Sequence, residues 1–165
     1  MRSLGWVTAA IAGSIGALGV GAVVAPAFRK EAGAWSPIGR PGDPGPGSPD
    51  LAVEGKPLLT HFTSMVQDAY LAAEPQNIPV FVVNQGNNQF TLFDVRCTHL
   101  GCPVTWDDKT KEFYSPCHGG VFDVEGKVLA GPPPRPLDRY EAKFENGVLY
   151  AGAMYRVNEQ LQRET

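Results

Sequence analysis

Residues Cys97–Gly120 read CTHLGCPVTWDDKTKEFYSPCHGG, and the fold turns on how this stretch is read. It contains all three cysteines of the chain and two of its three histidines. They form two short clusters, one with Cys97, His99 and Cys102, the other with Cys117 and His118, across a polar spacer. Thiolate and imidazole are donors for zinc and for iron–sulfur centres. A structural zinc site draws four such groups together, and its usual start is a pair of cysteines two to four residues apart. A disulfide-stapled β domain is the other plain reading, but it leaves unexplained why histidines accompany the cysteines. Ser115 stands where a metal-binding pattern would want a thiolate.

Around this stretch the composition is that of a globular protein. The chain has 165 residues, 43% of them hydrophobic, and a net charge of −3. No basic surplus points to nucleic acid. With 15 prolines and 19 glycines, turns and short strands are favoured over long helices.

The helix-like signal is confined to the N-terminal end. Leu4–Phe28 carries no charged residue. As a helix it would span about 37 Å, against the roughly 30 Å of a bilayer's hydrocarbon core. An uncleaved transmembrane anchor is expected, since the apolar region of a cleavable signal peptide is shorter. Ala9, Gly13, Ala17 and Gly21 place small side chains along one face, where a second helix can approach. Flanking charge sets orientation only weakly: Arg2 and the amino terminus stand on one side, Arg29 and Lys30 on the other. Trp35 and Phe28 are candidate interface markers.

Residues 1–30 are therefore expected to be the anchor. Residues 31–50, rich in Pro and Gly, read as a tether, either a plain spacer or a hinge. Residues 51–156 read as a head domain and 157–165 as a polar tail that frays. In the head, Leu58–Ser64 alternates like a strand. Ile78–Asn84 and Gln89–Val95 flank a hairpin turn, Val121–Ala130 folds back at Glu125–Gly126, and Tyr140–Gly152 folds back at Asn146–Gly147. Met65–Glu74 has room for a helical turn or two. Three hairpins without a periodic helix make the fold class all-β, a small antiparallel domain. His61, alone on an apolar strand, is expected to be structural or exposed.

The motifs CTHLGC (97–102) and SPCHGG (115–120), followed by AGPPPRPLDRY (130–140), resemble the two cluster loops and the proline loop of Rieske iron–sulfur proteins. With the anchor, the tether and AGAWSPIG (32–39), the chain resembles the iron–sulfur subunit of bacterial (mena)quinol–cytochrome c oxidoreductases of the cytochrome bc type. The resemblance implies a Rieske-type β domain with an inserted cluster-binding subdomain, cluster loops at 97–102 and 115–120, and a proline loop at 131–136. It implies a [2Fe-2S] cluster with Cys97, His99 and His118 as ligands, Ser115 in the place of the second cysteine ligand, and a disulfide between Cys102 and Cys117. Three fates for Ser115 follow: an alkoxide ligand, a loop rebuilt so that Cys117 binds iron, or a head without a cluster.

The resemblance further implies electron transfer from quinol, contacted by His118 with His99 as the other exposed ligand, to a c-type haem. The partners are then a cytochrome b-type membrane subunit, a c-type cytochrome, quinol and the membrane. The head lies on the extracytoplasmic side of the cell (inner) membrane, which suits a disulfide. Gly120 and Phe122 stand where high-potential members carry hydroxyls that donate to cluster sulfur, which points to menaquinol. A backbone requirement at Gly120 and core filling by Phe122 are the plain alternatives. The other functions weighed are a cluster-free structural subunit and the small subunit of an arsenite-oxidase-like enzyme. A soluble Rieske ferredoxin is disfavoured by the anchor and the disulfide cysteines. The single arginine of MRSLGW departs from a twin-arginine export signal.

Overall fold

The computed structural model describes residues 35–40, 53–66 and 73–164. The expected anchor and Phe28 lie outside them, as does most of the segment 31–50. Among the described residues no helix is long and apolar enough to cross a membrane.

The described residues form ten strands: β1 Ser36–Gly39, β2 Leu58–Val66, β3 Glu74–Asn84, β4 Phe90–Asp94, β5 Thr105–Asp107, β6 Glu112–Ser115, β7 Gly120–Phe122, β8 Val128–Ala130, β9 Arg139–Glu145 and β10 Val148–Tyr155. They make a six-stranded sheet in the order β1-β10-β9-β4-β3-β2 and a four-stranded sheet in the order β5-β6-β7-β8. The small sheet is inserted between β4 and β9. All ladders are antiparallel.

Strand alternation builds the two cores. In β3, Val80 and Val82 join Phe62, Leu92, Tyr140, Leu149 and Ala151 on one face. Phe81 and Val83 point the other way, into a cluster with Phe93, Cys97, Val104, Phe113, Phe122 and Leu137. This is the two-residue period of a strand buried on both faces. Phe113 of the small sheet is the joint. Its ring stands 5.0 Å from Phe81, 5.6 Å from Phe93 and 4.9 Å from Trp106, each edge to face. Burying such a ring is worth about 1.5–3 kcal/mol, with about 0.5–1.5 kcal/mol more for favourable ring pairs.

Three expected hairpins form. Asn84 pairs with Phe90, Val121 with Ala130, and Val148 with Glu145. At the last turn Asn146 and Gly147 both take positive φ, 52° and 77°, as the tight turn demands. Other features depart from the sequence reading. Ser36–Gly39, assigned to the tether, pairs with β10 as an edge strand. The Pro/Gly run after Gly39 therefore joins two strands of one sheet. Met65 and Val66 continue β2, opposite Pro75 and Glu74, so the ends of the helical segment are a ribbon, and 67–72 lie outside the described residues. Pro75 and Pro79 are tolerated because that half of β3 has only β2 as a neighbour. The hairpin of β5 and β6 was not foreseen.

The tail does not fray. Val157 is fully buried and bridges Arg163. Asn158 Oδ1 accepts from the amides of Gln160 and Gln162 at 3.0 and 2.9 Å, and Arg163 pairs with Glu141. A capping side chain and one buried apolar residue hold what composition alone would release.

Gly126 ties the hairpin of β7 and β8 to the large sheet. It has φ +81°, and a Cβ there would lie 2.7 Å from Phe93 Cε1. Phe93 is fully buried and has no room to move. Gly126→Ala is expected to cost about 2–4 kcal/mol, lowering Tm by roughly 5–10 °C. A Tm unchanged within error in thermal unfolding of the full chain would contradict this packing.

Candidate metal centre

Two loops meet at one end of the small sheet. The first leaves β4 and is closed on itself: Cys97 N donates to Cys102 O at 2.7 Å and Gly101 N to Cys97 O at 2.8 Å. The second joins β6 to β7, where Gly119 N donates to Ser115 O at 3.1 Å. Gly101 and Gly119 have φ of 76° and 71°, a conformation that glycine adopts without strain. Cys102 and Cys117 are disulfide-bonded with Cα atoms 6.3 Å apart, as the resemblance implies. Closing this 15-residue separation is worth about 3 kcal/mol in the loop-entropy account.

The disulfide brings the histidines together. The rings of His99 and His118 are 4.7 Å apart and nearly perpendicular. His118 is exposed and His99 half-buried. Behind them lie Cys97, a buried free thiol, and Ser115, which is 1% exposed. His99 Nδ1 is buried and has no hydrogen-bond partner. Such an atom costs about 1–3 kcal/mol unless something takes it. The donors are spread: among the described residues no three His, Cys, Asp or Glu side chains are grouped around a single ion. With Cys102 and Cys117 joined, Cys97 is the one free thiol left, fewer than the cysteine-rich zinc sites considered above draw on.

Gly120 and Phe122 have packing reasons for their identity. A Cβ on Gly120 would lie 2.8 Å from Pro133 Cγ and 3.3 Å from Cys97 Sγ. Phe122 is fully buried and faces Phe113 across the ladder. Both positions still lack a hydroxyl. His61 is exposed on β2. Trp35 is 41% exposed, with Lys143 Nζ 5.1 Å above its ring. Neither belongs to the tip.

The proline loop is strapped to the tip by residues the sequence reading did not single out. Thr98 Oγ1 donates to Arg135 O at 2.6 Å. Arg135 makes a two-pronged ion pair with Asp138, which holds the guanidinium above its ordinary value. Asp138 O in turn accepts from Asp94 N at 2.9 Å. Gly131 lies so close that a Cβ would fall 2.4 Å from Gly119 O. The opposite charges of Arg135 and Asp138, three residues apart, were the legible signal. The partner of Thr98 was not.

The family model for the Rieske [2Fe-2S] domain matches residues 57–141. The iron–sulfur subunit of the cytochrome b6-f complex of Chlorobaculum tepidum is 44% identical over 68 residues, covering 41% of this chain and 37% of that protein. The iron–sulfur subunit of the menaquinol:cytochrome c reductase of Geobacillus thermodenitrificans is 37% identical over 102 residues, 59% of each protein. The chain thus spans about a third to three fifths of the length of these relatives. The crystal structure of the cyanobacterial plasma membrane Rieske protein of Synechocystis PCC 6803 aligns at 31% identity and a TM-score of 0.43, over 56% of this chain and 86% of that one.

The strap is testable. Thr98→Val keeps the shape and removes the donor to Arg135 O. A loss of about 1 kcal/mol is expected, with faster amide exchange at Arg135 and Leu137. Unchanged exchange there would show that the loop is held without Thr98.

Proposed function

The chain belongs to the Rieske [2Fe-2S] domain family, and on that premise we propose that it is the electron-transfer subunit of a membrane-bound, cytochrome bc-type quinol–cytochrome c oxidoreductase. The observation that carries the reading is the buried, unpartnered Nδ1 of His99, beside a second imidazole and in front of a buried free thiol. A Rieske centre takes two histidines and two further ligands, and these residues fit it. Cys97, His99 and His118 are assigned as ligands, with position 115 the fourth place.

When bound, the cluster supplies one-electron chemistry. The chain's own residues supply the rest. His99 turns Nδ1 inward, which leaves Nε2 as its outward atom. His118 is the more exposed ring and is assigned the quinol contact, where its outward nitrogen accepts a hydrogen bond from the quinol hydroxyl and then holds the proton. The disulfide and the proline loop keep the two loops closed, and the stiffness of consecutive prolines limits how far the lid above Gly120 can open. The other partners are a cytochrome b-type subunit and a c-type cytochrome. The expected anchor places the protein in the cell membrane with the head on the extracytoplasmic side, where a disulfide persists.

Menaquinol is the proposed substrate. Gly120 and Phe122 offer no hydroxyl to cluster sulfur, so the reduced, more negative state is stabilised less. The relative from Geobacillus thermodenitrificans, named as part of a menaquinol:cytochrome c reductase, supports the same choice.

The full chain purified in its complex is expected to contain iron and acid-labile sulfide in equal amounts. Its midpoint should fall in the lower half of the Rieske range of about −150 to +300 mV. A midpoint in the upper half would contradict the menaquinol assignment. A complex that holds the chain without iron would leave it a structural subunit.

A further inference from the structure

The two loops of the tip are built alike. In each, the first residue is buried: Cys97 is 5% exposed and Ser115 1%. In each, that residue's carbonyl accepts from the amide of a left-handed glycine four positions on, Gly101 in the first loop and Gly119 in the second. In each, a histidine of the tip lies inside the turn so closed. Ser115 therefore occupies in the second loop the place that Cys97 occupies in the first. Both also abut the same glycine. Ser115 is the cross-strand partner of Gly120, and Cys97 Sγ is 3.3 Å from where a Cβ of Gly120 would stand.

No second free cysteine competes for this place. Of the three cysteines, Cys102 and Cys117 are bonded to each other. Cys117 therefore has no thiolate to give while the disulfide holds. Tyr114, next to Ser115 on β6, is 43% exposed, as strand alternation requires of the neighbour of a buried residue.

We propose that Ser115 is a metal ligand through Oγ, the oxygen counterpart of Cys97. This rests on the family's cofactor being held at this tip, as read above. On ligation the Oγ–H bond breaks, an Oγ–iron bond forms and the proton passes to solvent. No electron changes hands. An alkoxide is a harder donor than a thiolate and favours the ferric over the ferrous state. Ser115 thus lowers the potential in the same direction as the missing hydroxyls at Gly120 and Phe122.

The test compares the full chain, purified in detergent, with Ser115→Cys and Ser115→Ala. Iron, acid-labile sulfide and the electron paramagnetic resonance signal of the reduced protein are the readouts, with far-ultraviolet circular dichroism as the control for folding. The parent and Ser115→Cys are expected to hold iron and sulfide. Ser115→Ala is expected to fold but to bind iron at least about tenfold more weakly, a loss found even for partners outside the ligand sphere, and so to hold less iron than the parent. The parent's resonance lines should broaden when cells are grown on serine labelled with oxygen-17, those of Ser115→Cys should not, and the midpoint of Ser115→Cys should lie above the parent's. Full occupancy with an unchanged spectrum in Ser115→Ala would overturn ligation by Ser115. A loaded parent without oxygen-17 broadening would do the same. Iron in Ser115→Cys but not in the parent would overturn it too, while leaving the tip a competent cluster site. Iron in neither would overturn both this inference and the cofactor reading beneath it.

Discussion

The tip depends on a covalent closure. Cys102 and Cys117 hold together two loops that leave different sheets, and with that bond in place the rings of His99 and His118 lie 4.7 Å apart. The loops are exposed and rich in glycine, so their own packing is thin. Their rigidity is borrowed from below. Phe113 locks the small sheet onto Phe81 and Phe93, and the Thr98–Arg135–Asp138–Asp94 relay locks the proline loop onto both. Each link is worth about a kilocalorie or a few. Together they place two imidazoles at a surface, and among the described residues only strands support them.

The same arrangement separates the chemistry by depth. Cys97 and Ser115 are buried, His99 is half-buried and His118 is exposed. Low polarity strengthens electrostatic interactions at the inner donors. The outer imidazole is left where a second molecule can reach it. A buried, unpartnered Nδ1 on His99 is a cost that the fold keeps, and such a cost calls for a partner, of which a metal ion is one. Ser115 sits in that place as the register partner of Gly120, with a side chain smaller than a cysteine's.

Local chemistry decided what was legible in the sequence. Asn146–Gly147 and Glu125–Gly126 need positive φ at glycine, and such dipeptides announce their turns. The CTHLGC and SPCHGG loops were legible for a different reason, their close clustering of Cys and His and their resemblance to Rieske cluster loops. Strands that no turn signal announces were not. Ser36–Gly39 lies at the edge of a Pro/Gly run and becomes a strand only because β10 is there to pair with it. β5 and β6 are short and polar at their ends, and they form because Phe113 is buried between the sheets. The tail looked too polar to order, yet Val157 and the cap from Asn158 suffice. The relay through Thr98 was invisible because its acceptor is a backbone carbonyl, which no residue pattern encodes.

Iron K-edge X-ray absorption of the full chain in its complex addresses the tip most directly. The account gives a short iron–iron vector, sulfide neighbours, and fewer sulfur but more nitrogen and oxygen neighbours per iron than an all-cysteine [2Fe-2S] centre shows. A spectrum with no iron–iron scattering, or one whose ligands are sulfur alone, would contradict a binuclear centre held by Cys97, His99, His118 and Ser115.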